Sequence, residues 1–280
     1  MFLIFAIASA SFYGLADFSG GYAASKSKVL PVMLVAQIFG FATASTALIT
    51  MWSGLPNVVD MLWGFAGGLA GFFGIIILYR GIALGIVAVV SPIAALLSSI
   101  IPFVVGLALG DRPGIPALIG ISLCLPAIIL LSYSPAKTES DKKSAKSSIL
   151  HGLLSGIGFG LFFVALSRPS SNSGFWPLWA SRSAALSMAL IVLLVKREPL
   201  VINKGGRLTA MLAGILDMVA NILFVLASRY GMLSIVGIIV SLYPAPTVLM
   251  ARIVFKERIS PVRAIGLALC LVGLALISLK

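Results

Sequence analysis

The 280-residue chain is 60% hydrophobic and only 10% charged, with a mean hydropathy of +1.14, which excludes a water-soluble domain because runs such as 115–133 leave no room for a charged skin. Its net charge of +12, from 20 Lys and Arg against 8 Asp and Glu, is scattered over short connections with no basic, aromatic-studded face, so no nucleic-acid partner is expected. Two cysteines, Cys124 and Cys270, both in apolar runs, and one histidine, His151, are too few for a multi-ligand metal site, and no cofactor is expected.

Apolar runs between polar connections predict ten membrane helices, at 2–22, 31–52, 60–80, 85–109, 115–134, 149–167, 175–195, 208–228, 232–255 and 261–279. The first run has neither a basic n-region nor a small-residue cleavage site, which predicts a retained helix. GxxxG spacings at Gly64/Gly68 and Gly67/Gly71 in the third run, and at Gly152/Gly156/Gly160 in the sixth, predict close backbone packing. Pro92 and Pro102 in the fourth run and Pro244 and Pro246 in the ninth predict kinks near a central site, since proline removes a helical hydrogen bond. The polar stretch 135–148 predicts a linker between a first five-helix unit, 1–134, and a second, 149–280.

Sliding the sequence by 146 residues superimposes the two units: Gly14 falls on Gly160, Pro31 on Pro177, Gly68 on Gly214, Gly85 on Gly231 and Arg112 on Arg258, and Gly120–Leu125 on Gly266–Leu271. Five helices per unit send the second unit into the bilayer from the opposite side. The expected fold is therefore an all-α integral membrane protein of ten helices in two inverted five-helix repeats. Fourteen Lys and Arg lie in connections on the side of Lys26 and Lys28, against four (Arg112, Arg168, Arg229 and Lys280) on the side of the termini. The positive-inside rule thus predicts that both termini lie outside, in a multi-pass protein of the cell (inner or plasma) membrane.

"YGLADFSGG" in the first helix, "LYRGIALG" at 78–85, and the helix-four endings "GLALGDRP" at 106–113 and "ARIVFKERIS" at 251–260 make the chain resemble the drug/metabolite transporter (DMT) superfamily, in its EamA-like ten-helix branch. Pro244 lies where the second repeat's family proline would be, whereas the first repeat has Ser98 there. The resemblance implies the ten-helix fold and a transporter, with no one substrate class, since the superfamily moves amino acids, sugars, nucleotide-linked metabolites and toxic compounds in either direction. It also implies cytoplasmic termini, opposite to the charge count, which we follow.

Within the spans, Asp17, Arg182, Asp217 and Arg252 carry charge where an ionised group costs roughly 2.5–3.5 kcal/mol on insertion scales, so each needs a partner or water. Asp17 lies five residues from its helix end and reads either as a headgroup-level acid or, beside Gly14, Gly20 and Gly21, as one facing protein. Asp217 is central, with Asn221 one turn later, and reads as substrate lining or as helix-to-helix glue. Arg182 is placed to neutralise either acid or to meet an anionic substrate group, whereas Arg252 is expected to snorkel. Tyr13, Gln37, Asn221 and Tyr243 are further candidate hydrogen-bonding groups, and Trp176 and Trp179 read as interfacial aromatics.

These residues predict a secondary transporter that moves a small metabolite or drug-like solute by alternating access, with Asp17 or Asp217 as candidate proton carriers. The partners are then a small-molecule substrate and the lipid bilayer. A passive channel or lipid-moving membrane scaffold is the alternative. An enzyme is not expected, since HExxH, GxSxG and P-loop motifs are missing.

Overall fold

The computed structural model describes all residues except 53, 84–86, 133–144, 198, 257–258 and 280. The proposed Gly85/Gly231 and Arg112/Arg258 correspondences, and most of the 135–148 linker, therefore involve positions outside the described residues.

The described helices are α1 (Phe2–Lys26), α2 (Val29–Thr50), α3 (Val58–Ala83), α4 (Val87–Ala108), α5 (Ile115–Ser132), α6 (Ala145–Ser167), α7 (Trp176–Lys196), α8 (Lys204–Tyr230), α9 (Leu233–Val240), α10 (Pro244–Phe255) and α11 (Pro261–Ser278). They make ten segments long and apolar enough to cross a membrane, with α9 and α10 forming one of them. No strand occurs among the described residues. Large apolar side chains such as Ile4, Ile49, Leu194 and Leu271 stand exposed on the outside, which is the expected surface when the surrounding solvent is acyl chain.

Helices overrun the apolar runs that predicted them. α8 begins at Lys204, and its 27 residues span about 40 Å at 1.5 Å per residue, longer than the hydrocarbon core of about 30 Å. Its ends therefore reach the headgroup zone, where Lys204 and Arg207 are at home. In the same way α6 begins at Ala145, inside the stretch expected as linker.

The four prolines act unequally. Pro92 and Pro102 sit inside the continuous α4, each removing one hydrogen bond that a long helix tolerates. The closely spaced Pro244 and Pro246 accompany a full break. The backbone tightens at Leu242 N–H to Ile239 O and Tyr243 N–H to Val240 O, both 3.1 Å, and α10 restarts with Pro244 at its first turn.

The most extensive packing runs between the two halves: α1 lies on α8, α3 on α6 and α7, α4 on α6, and α5 on α11. Glycines permit these approaches. A Cβ on Gly214 would overlap the Ala36 carbonyl, and one on Gly68 the Ser181 carbonyl. Contacts also recur under the 146-residue shift: Gly120 abuts Ile277, and Gly266 abuts Leu131. The halves interdigitate, so the interior is built jointly.

Candidate functional site

Seven helices and the α9–α10 break enclose a cavity of about 260 Å³. Each wall is a helical stripe at spacings of three and four: Tyr13, Ala16, Asp17 and Gly20 on α1; Val29, Val32, Met33, Ala36 and Gln37 on α2; Gly68, Gly71, Phe72 and Ile75 on α3. From the second half come Phe159, Phe162 and Phe163 on α6, Ser181 and Arg182 on α7, and Gly214 and Asp217 on α8. Ser98 of α4 and Tyr243 at the break complete it.

Helix contacts fix the polar groups. Because Gly214 lets α8 press on α2 at Ala36, Asp217 stands one turn further along α8, opposite Gln37 and Arg182. The Arg182 guanidinium pairs closely through Nη2 with Asp217 Oδ2, and its Nη1 donates to Gln37 Oε1 at 3.1 Å. The Arg182 side chain is 10% exposed and that of Asp217 33%, so the pair is anchored at its cationic end and wetted by the cavity at its acidic end. Asn221 Nδ2 donates to the Asp217 backbone carbonyl at 2.7 Å and reaches Asp217 Oδ2 at 3.4 Å. Asn221 itself is fully buried and supports Asp217 from behind without lining the cavity.

Asp17 differs. It is exposed on the cavity wall and has neither a hydrogen bond nor an ion pair among the described residues. Its helix carries Tyr13 one turn deeper, where the ring packs edge-on to Phe163 at 6.0 Å and near Tyr243 at 6.5 Å. The Tyr13 hydroxyl is buried without a partner among the described residues. Gly14 on the same turn abuts the Tyr243 carbonyl and Pro246, and its own carbonyl accepts from Thr247 Oγ1 at 3.1 Å.

Of the sequence candidates, the structure thus brings Tyr13, Asp17, Gln37, Arg182, Asp217 and Tyr243 around one cavity, and leaves Asn221, Pro92, Pro102, Pro244 and Pro246 off its wall. Arg252 is exposed near its helix end. The sequence reading missed the aromatic contributors Phe72, Phe159, Phe162 and Phe163, because a phenylalanine among apolar residues carries no signal of which one faces a cavity.

The lining reaches Ala24, Val29 and Leu78, all near the α1–α2 connection, so the cavity extends from mid-depth to that end of the bundle. The opposite end is tied across the halves. Asp60 Oδ2 accepts from Ser170 N–H at 3.2 Å, Ser170 Oγ at 2.6 Å and Ser173 Oγ at 2.5 Å. Asp111 Oδ2 accepts from Ser234 N–H at 2.8 Å, capping the start of α9 from the other half. Trp176 Nε1 donates to Gly54 O at 2.8 Å and Trp179 Nε1 to Ser45 Oγ at 3.1 Å, so both tryptophans are tied down as well as placed near a membrane face.

A transmembrane bundle around a mid-depth cavity that holds charged groups is the architecture expected of membrane proteins that handle solutes. Residues 146–279, the second half, match the model of the EamA-like transporter family, in agreement with the resemblance carried by the helix-end motifs. A solved crystal structure superimposes on this chain with a TM-score of 0.71 at 16% identity, covering 97% of this chain and 95% of the other, a likeness of fold. No curated protein matches the chain significantly. The family match supports a multi-pass membrane transporter of small solutes.

Proposed function

We propose that the chain is a secondary transporter of the cell (inner or plasma) membrane that works by alternating access, with 1–134 and 149–280 as inverted repeats. The observation that carries this reading is the single cavity holding the Arg182–Asp217–Gln37 cluster and Asp17, reachable from the α1–α2 end and tied shut across the halves at the other. A solute enters from the open end and binds at mid-depth. Release of the Asp60 and Asp111 ties then accompanies closure of the first mouth. The moving bodies are helix groups drawn from both halves, since each half packs mainly on the other. Asp17, unpaired and wetted, is the candidate proton carrier; Asp217 is held by Arg182 and serves first to position it. The closed end also argues against a permanently open channel.

Reconstituted protein in proteoliposomes tests this. Saturable uptake with mutual competition between solutes is the expected result, together with lost pH dependence in Asp17→Asn. Flux that rises linearly with concentration and shows no competition would establish the passive-channel alternative.

A further inference from the structure

The wall of the cavity carries two carboxylates, Asp17 and Asp217, and one cation, Arg182. Arg182 has its charge met by Asp217 and donates a further bond to Gln37. What remains is one acid without a partner among the described residues, in a chamber whose other surfaces are largely aromatic and aliphatic. A carboxylate in such a site gains most from a cation that brings its own apolar body, because the low dielectric strengthens the ionic contact and the aromatic faces attract a cation further.

Resting on the transporter reading above, we infer that the cavity binds an organic ammonium: one protonated amine set against Asp17, with a small aromatic or aliphatic body against Phe72, Phe159 and Phe162. The Tyr13 hydroxyl, buried and without a partner among the described residues, lies one turn deeper than Asp17, and its ring adds to the aromatic surroundings of the site. The same geometry disfavours a substrate carboxylate. An anion would have to displace Asp217 from Arg182 and would meet the unpaired charge of Asp17. A zwitterionic amino acid therefore binds more weakly than the matching simple amine. The volume of about 260 Å³, near the small end of ligand sites, suits a compound of one ring.

Four probes sharing a benzyl group separate the charge requirement from the apolar one: phenethylammonium, 2-phenylethanol, phenylacetate and phenylalanine. Affinity is measured by calorimetry on the full chain in lipid nanodiscs. Phenethylammonium is expected to bind about tenfold or more tighter than each of the others, the effect of one charge-assisted contact. Asp17→Asn should remove that advantage and Asp17→Glu restore most of it. If the alcohol, the acid or the amino acid equals the amine, if no probe binds, or if Asp17→Asn leaves the amine's affinity unchanged, the inference is overturned. The four-probe ranking on the unmutated protein decides the matter even if Asp17→Asn fails to fold. Flux of phenethylammonium in proteoliposomes, read separately, distinguishes the two proposals. Binding without saturable flux sinks the transporter reading and leaves the amine site standing; saturable flux of other solutes with no preference for the amine does the reverse.

Discussion

At the residue scale the central feature is a divided pair of acids. Asp217 is held by a guanidinium that is itself held by Gln37, whereas Asp17, on the helix that packs directly against that of Asp217, is left to the cavity. Removing Arg182 strands Asp217 inside the bundle. Arg182→Ala should therefore destabilise the protein by about 3 kcal/mol, the low end for a broken buried pair because Asp217 keeps water on one side. Asp217→Asn alone leaves Arg182 uncompensated and should cost a similar amount, but the double variant Arg182→Ala/Asp217→Asn should lose clearly less than the sum, since the second change removes a charge the first exposed. Thermal melts of the four proteins in detergent check this, and strict additivity would show that the pair is not energetically coupled. Both partners stood out in the sequence as charges in apolar runs. That they choose each other, leaving Asp17 alone, did not, because three charges on three helices allow several pairings.

At the element scale the helices are placed by what their glycines allow. Gly214 against Ala36, and Gly68 against Ser181, are backbone-to-backbone approaches with no space for a methyl group. Gly214→Ala should force α8 from α2, cost about 1–3 kcal/mol as overpacking does, and displace Asp217 from Gln37 and Arg182. Gly21→Ala, where a Cβ meets nothing within 4 Å, should leave melting temperature unchanged or slightly raised. A comparison of their melts tests the distinction, and equal losses would refute it. The GxxxG rows of the third and sixth runs pointed to close packing, and Gly68 and Gly156 indeed sit against backbone of other helices. Partner identity was hidden, since spacing within one helix says nothing about which other helix approaches. The proline pairs show the same limit. Both were legible as weak points, yet α4 runs on through Pro92 and Pro102 while the ninth segment breaks at Ser241–Tyr243, delivering the Tyr243 ring to the cavity.

At the scale of the whole molecule the two ends differ, and the difference is carried by Asp111, which the sequence marks in the GLALGDRP helix ending, and by Asp60 with Ser170 and Ser173, which the sequence reading did not single out. Asp60 lies at a helix start, where an acid is ordinary, and Ser170 and Ser173 lie in a connection; only the fold joins them. Replacing both latch acids, in Asp60→Asn/Asp111→Asn, should open the tied end. A cysteine introduced at Ala10, buried one turn from Tyr13 toward that end, should be inert to a membrane-impermeant thiol reagent in the parent and reactive in the latch variant. Unchanged protection would mean that the latches do not hold the closed state. The basic connections gather at the end where the cavity opens, so the positive-inside rule predicts that this end faces the cytoplasm. Tags at either terminus should then be accessible to protease on intact cells; protection of both would reverse the orientation.

The sequence by itself determined the solvent of this protein, the number of its spans and the short roster of groups that matter inside a membrane, because hydrophobic length and the cost of buried charge are local properties of the chain. The partners were decided by tertiary structure alone: which helix meets which, which acid takes the arginine, which aromatic faces the cavity, and which end is shut. Those outcomes depend on side chains more than a hundred residues apart meeting across interdigitated halves, and no periodicity within a helix encodes its neighbour.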